Sequence, residues 1–163
     1  MSLKRLSTSM LVLTLACGAV ALSAQQMTNP YGAPIGLETA KKIAPAALAE
    51  ARKNGWTVAV AVVDPAGDLI YFERMDNTQL GSVNIAIAKA RSSARFKRPT
   101  KVFEDMIASG GNGLRALGLE GAVPVQGGFP LVMDGKIVGA VGVSGGTSEQ
   151  DTQCAKIVAD LVK

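Results

Sequence analysis

Thr57-Val-Ala-Val-Ala-Val-Val63 runs directly into Asp64-Pro-Ala-Gly-Asp68, and that into Leu69-Ile-Tyr-Phe-Glu73. The first stretch is rich in β-branched residues and suits a buried strand. The second is turn chemistry, because Asp, Pro and Gly each favour a reversal for their own backbone reasons. The third returns as a strand. A β-hairpin therefore sits near the middle of the chain. A second is predicted downstream: Phe129 to Met133, a tight Asp134-Gly135 turn, then Lys136 to Val143.

The segments around the hairpins carry helical spacing. Ile43, Ala47, Leu48 and Ala51 mark a helix from Leu37 to Asn54, stopped by Gly55 and either bent at Pro45 or started there. Ser82 to Phe96 is a second helix, with Ile85, Ala86, Ala90 and Ala94 on its apolar stripe. Pro99 opens a short third, Thr100 to Ala108, followed by a glycine-rich stretch. Thr147 or Ser148, ahead of Glu149-Gln150-Asp151, caps a last helix from Glu149 to Val162. The order α-β-β-α-α-β-β-α predicts an α/β (α+β) fold, with one antiparallel sheet flanked by helices rather than a doubly wound parallel sheet.

The chain has 163 residues, enough for one domain. Residues 1–24 look like a secretory signal peptide: Lys4 and Arg5, an apolar run from Met10 to Leu22, then small residues, with cleavage after Ser23 or Ala24. The run is short for a bilayer span. Lipid attachment at Cys17 is an alternative, although Thr14 stands where a Leu is usual. Residues 25–36, holding two Pro and two Gly, are an extended lead-in, and 37–163 form the domain. Removing the leader leaves 15 basic and 13 acidic residues and one cysteine, Cys154, expected to be a small buried hydrophobe. A periplasmic or secreted location follows, with no internal disulfide and no membrane span.

There is no histidine. That excludes a Ser-His-Asp triad, a Cys-His dyad, a His-based zinc site and His-ligated haem. A mature net charge of +2, few aromatics and export argue against nucleic acid. Three constellations remain. Arg74-Met75-Asp76 follows the first hairpin; Arg74 is a candidate carboxylate clamp, and Asp76 its partner, a helix cap or an acid–base group. Lys89, Arg91, Arg95, Lys97, Arg98 and Lys101 place six positive charges in thirteen residues, either a solvated face or an anion site. Lys89 falls on or near the alanine stripe, so it should be partly buried with a specific partner. Gln126-Gly127-Gly128-Phe129-Pro130 and Gly139 to Gly146 match neither a dinucleotide fingerprint nor a P-loop, but permit close approach of a ligand or another backbone.

Taken together, V-V-D-P-A-G-D-L-I-Y-F-E-R-M-D, I-A-x-A-K-A and P-V-x-G-G-F-P-L-V-M-D-G-K-I-V-G-A-V-G-V-S-G-G-x-x-E-Q-D resemble the GlcG/HbpS family of haem-binding or haem-degrading domain proteins, over about residues 37–161. The resemblance implies a profilin-like α/β/α sandwich, homo-oligomers built from dimers, and haem as a possible cofactor. It also implies an axial His near the first helix in haem-binding members, where this chain has Leu37-Glu-Thr-Ala-Lys-Lys-Ile-Ala-Pro45, and a Gly after R-M-D, where this chain has Asn77. The expectation is an exported, non-catalytic binder of a small anionic ligand, haem or a related tetrapyrrole, held without His. Arg74, Lys89 and Arg91 would meet its carboxylates. Gly127, Gly128 and Ser144 would admit the ring, and Thr100 and Phe103 would wall the site, with no metal ligand assigned. The alternatives are an enzyme on a small carboxylate or hydroxy acid, using Lys89 or Asp76, and an oligomeric assembly module.

Overall fold

The computed structural model describes residues 28–162; the expected leader lies outside the described residues. The elements are α1 (Leu37–Ile43), α2 (Pro45–Lys53), β1 (Ala59–Val63), β2 (Leu69–Arg74), α3 (Ser82–Phe96), α4 (Lys101–Ala108), a 3-10 helix (Gly111–Gly118), β3 (Gly128–Met133), β4 (Lys136–Ser144) and α5 (Ser148–Asp160). The four strands form one antiparallel sheet in the order β2-β1-β4-β3. The fold is the expected α+β class.

β1 explains the layering. Its residues alternate across the sheet, as strand geometry requires. Val58, Val60 and Val62 pack with α1, α2 and α5, including Leu48, Cys154 and Val158. Ala59, Ala61 and Val63 face the other way and pack with Ala86, Ala90 and Ala94 of α3. Small residues on both sides of that second interface bring α3 close to the sheet. At Gly142 the approach is so tight that a Cβ would fall on the Ala86 carbonyl oxygen and 2.5 Å from Ala90 N.

The helix expected over Leu37 to Asn54 is two helices, because Pro45 cannot donate an N–H and instead occupies the first turn of α2. The glycine-rich stretch, read from sequence only as glycine-rich, contains the 3-10 helix. Asn77, at the position where the resemblance implies Gly, has φ +62, a conformation Asn tolerates better than most residues. α5 is capped as its sequence suggests: Thr147 accepts from Gln150 N, and Gln150 accepts from Thr147 N.

The lead-in is built into the sheet. β1 ends opposite Ala140, and the lead-in takes its place beside β4. Gly32 N donates to Ile137 O, Ile137 N to Pro30 O, and Ile35 N to Val138 O, each at 2.8 Å. The Tyr31 hydroxyl donates to Ala94 O at 2.9 Å and Arg95 O at 3.1 Å, tying this segment to the end of α3.

Candidate functional site

Lys89 has the burial and the specific partner its position predicted. Its side chain is 1% exposed and that of Asp151 4%. Lys89 Nζ donates to Asp151 Oδ2 at 2.7 Å and to Val143 O at 3.0 Å, and Asp151 Oδ1 accepts from Gly146 N at 2.9 Å. α3 and α5 lie on opposite faces of the sheet, so this pair joins the two helical layers. It does so past Gly127, whose φ is +107 and where a Cβ would come within 2.8 Å of both Asp151 Cβ and Val143 O. Burial pulls the Lys89 ammonium below the usual lysine range and pushes the Asp151 carboxyl above the usual carboxylate range, although each partner pulls the other back towards its charged form. Lys89 therefore has no open face from which to meet a ligand or move a proton.

The other members of the expected cluster are also taken up by packing. A Cβ at Gly128 would lie 2.6 Å from Lys89 O and 2.7 Å from both Ser93 Oγ and Thr100 Cγ2, so this glycine admits α3 and α4 rather than a ring. Thr100 is buried; it accepts from Gly128 N at 3.0 Å and donates its own N–H to Gly128 O at 3.1 Å. Phe103 is fully buried, edge-on to Phe96 with centroids 5.1 Å apart. Ser144 is buried and donates to Ser82 Oγ at 3.3 Å. Arg91 Nε donates to Gly67 O at 3.0 Å and Arg95 Nε to Ala66 O at 2.7 Å, so both clamp the first hairpin turn. Lys97 sits over the Tyr31 ring, and Lys101 pairs with Asp105 on its own helix. The basic stretch thus divides among local contacts instead of forming one anion site.

Two of the expected residues do meet at an open groove. Arg74 and Asp76 line it with Arg52, Glu73 and Met75, around a cavity of about 350 Å³. The Tyr71 hydroxyl donates to Glu73 Oε2 at 2.5 Å, and that hydrogen bond, with burial, raises the phenol pKa.

A second groove, of about 330 Å³, was not apparent from the sequence. It lies between the lead-in, the start of α1 and the β3–β4 hairpin, lined by Gly32, Ala33, Pro34, Ile35, Gly36, Thr39, Met133, Asp134, Lys136 and Val138. Gly32 sets its floor, since a Cβ there would come 2.9 Å from Lys136 Cβ and hold the lead-in off β4. Gly36 faces open space, with no atom within 4 Å of where a Cβ would stand. Ala33, Pro34, Ile35 and Val138 give apolar walls, Met133 a half-buried thioether, and Asp134 and Lys136 an exposed rim with one charge of each sign. The Pro/Gly composition signalled an extended segment, but not that it would enclose a groove.

The sequence profile of the family described as "Haem degrading protein HbpS-like" matches residues 35–160. The chain belongs to the HbpS-like family. It is 41% identical over 107 residues to the protein GlcG of Escherichia coli K12, covering 66% of this chain and 78% of GlcG. The crystal structure of HbpS superposes with a TM-score of 0.73 at 28% identity, over 87% of this chain and 99% of HbpS. The crystal structure of a PduOC–haem complex gives a TM-score of 0.71 at 26% identity, over 80% and 96% of the two chains. The HbpS-like fold and the antiparallel sheet of this chain therefore agree. Within that fold, the groove at Arg74 and the groove at the lead-in share no lining residue.

Proposed function

We propose that this HbpS-like protein binds haem or a related anionic tetrapyrrole in the groove between the lead-in and the β3–β4 hairpin, without histidine. The observation that carries the proposal is the character of that groove at the start of α1. A tetrapyrrole needs apolar surface for its ring, a cation for its carboxylates and, for iron, a soft or nitrogen donor. Ala33, Pro34, Ile35 and Val138 supply the first, Lys136 the second and the Met133 thioether the third. The residues present fit the group. A cavity of about 330 Å³ is at the small end for ligand sites, so the groove would grip one edge of the ring and leave the rest to solvent or to a neighbouring subunit.

Haem supplies iron redox and oxygen chemistry when bound. The chain's own residues would bind and orient it: the lead-in packs against one side of the ring, and Lys136 neutralises a propionate. Family membership and the haem complex of PduOC support this reading. The leader-like residues 1–24 support export, and exposed Leu80, Leu114 and Leu117 offer apolar surface that a homo-oligomer would cover.

Optical titration of the full chain with haem tests the proposal. A saturable Soret shift is expected. Gly36→Leu, which fills the groove from a position with room for a side chain, should weaken binding at least tenfold, and Lys136→Glu should weaken it several-fold. Unsaturable partitioning, or affinity unchanged by Gly36→Leu, contradicts it.

A further inference from the structure

The groove beside the lead-in holds one soft atom, and the register of the β3–β4 hairpin places it. Met133 and Lys136 are Cα partners either side of Asp134-Gly135, which turns the chain with φ +49 and +72. Residues directly opposite on an antiparallel pair put their side chains on one face. Val138, two residues on from Lys136, takes the same face. That face belongs to the α1–α2–α5 layer: Val138 and Ile35 are buried in it, and Met133 packs against it. The Met133 thioether, the Lys136 stem, Val138 and Ile35 therefore converge on one groove. Of the residues lining it, Met133 alone carries sulfur. The chain has no histidine, and Cys154 is buried in the core, away from this groove.

We infer that Met133 is the axial ligand of the tetrapyrrole iron, and that the site therefore selects ferrous over ferric haem. The inference rests on the tetrapyrrole reading of this groove. Besides the thioether, the lining side chains offer iron a carboxylate, Asp134, and a hydroxyl, Thr39, while Lys136 serves a propionate as a cation. A thioether is neutral, soft and polarisable, and favours the electron-rich ferrous ion. A carboxylate is hard and anionic, and favours the ferric ion. Position separates the two. Met133 is half-buried against the apolar layer where the ring must lie, whereas Asp134 is exposed at the left-handed turn on the rim. The neutral Thr39 hydroxyl is a weak donor to either oxidation state. The sign of the redox preference thus reports which atom meets the iron.

Reduction potentials of the haem-loaded full chain and of its Met133→Leu variant test this. Leu keeps nearly the same volume, so the fold and the apolar wall survive the change. The wild type should lie at least about 59 mV more positive than the variant, which is a tenfold larger ratio of ferrous to ferric affinity. Titrations under reducing and oxidising conditions should return the same ratio, and the visible spectrum of the ferrous complex should differ between the two proteins. Asp134→Asn is the counterpart, at a turn conformation that Asn tolerates. A potential that rises in Asp134→Asn and is unchanged in Met133→Leu would give the iron to the carboxylate and overturn the inference. Equal potentials in all three proteins, or a wild type more negative than Met133→Leu, would also overturn it. Iron-free protoporphyrin, titrated in parallel, makes no axial bond and so tests the groove itself. If it binds saturably and is weakened by Gly36→Leu while the potentials are equal, the Met133 assignment falls and the groove stands. If neither porphyrin binds saturably, both fall.

Discussion

Lys89 Nζ stands 2.7 Å from Asp151 Oδ2, in a contact that crosses the sheet from α3 to α5 with both side chains out of water. Two ions brought out of water together are expensive to separate. Lys89→Met strands the Asp151 carboxylate and should cost about 3–5 kcal/mol, read as a lower urea midpoint at constant m-value. The double variant Lys89→Met/Asp151→Leu should recover most of that loss, because it removes both charges. It should not recover all of it, since Gly146 N then loses its acceptor. A double variant no more stable than the single would show that the pair is not the source of the cost.

Gly142 and Gly128 make a different demand. A side chain at either meets backbone of α3, which cannot move without lifting the helix off Ala59, Ala61 and Ala140. Gly142→Ala should therefore destabilise the fold by about 3 kcal/mol or more, beyond the usual cost of overpacking a core. Gly36→Ala, at open space and with ordinary extended backbone, should stay within about 1 kcal/mol of the wild type. Thermal unfolding of the two variants in parallel gives the comparison.

Cys154 is fully buried in the layer shared by α2 and α5, and burial pushes its thiol up to about 11. The thiolate is the reactive form, so iodoacetamide should modify Cys154 at neutral pH only as fast as the protein unfolds. The same shift has a stability consequence. A thiol held protonated in the folded state contributes stability that is complete below its unfolded pKa of about 9 and is lost as pH rises through about 11. Urea unfolding from pH 8 to 11 should show a decline that Cys154→Ala removes; a decline of the same size in that variant would assign it to other groups.

Tyr31 anchors the lead-in through its hydroxyl to the last carbonyls of α3. Tyr31→Phe should cost about 1 kcal/mol globally. It should also speed amide exchange at Gly32 and Ile35, whose N–H groups donate to β4, more than at the core strand β1. Equal protection loss across the sheet would show that the lead-in does not open separately.

The fold was legible in the sequence because its signals are local and repetitive. The Val58/Val60/Val62 and Ala59/Ala61/Val63 alternation already separates two faces, and Ala86, Ala90 and Ala94 match the small-residue face at helical spacing. Lys89 on that stripe signalled a buried partner, but Asp151 lies 62 residues away and carries the signature of a helix first turn, so its identity needed the fold. The ligand-facing residues were less legible. Arg91, Thr100, Gly127, Gly128 and Ser144 are of types that bind anions or admit rings, and the same properties let them clamp a turn, cap a strand end or accept a close helix. Of the expected ligand-facing residues, Arg74, the last residue of the edge strand β2, and Asp76, just past it, remain lining an open groove. The other groove depends on the lead-in filling the place that β1 leaves beside β4, a relationship that no local pattern encodes.

The location of the bound tetrapyrrole is the most direct test of this account. Amide spectra of the ¹⁵N-labelled full chain are recorded with ferric haem and with its diamagnetic zinc protoporphyrin counterpart, and the residues broadened only by the iron are mapped. Broadening centred on Gly32 to Thr39 and Met133 to Val138, abolished by Gly36→Leu, is the predicted result. Broadening centred elsewhere, such as on Arg74 and Asp76, or none at saturating haem, would contradict it.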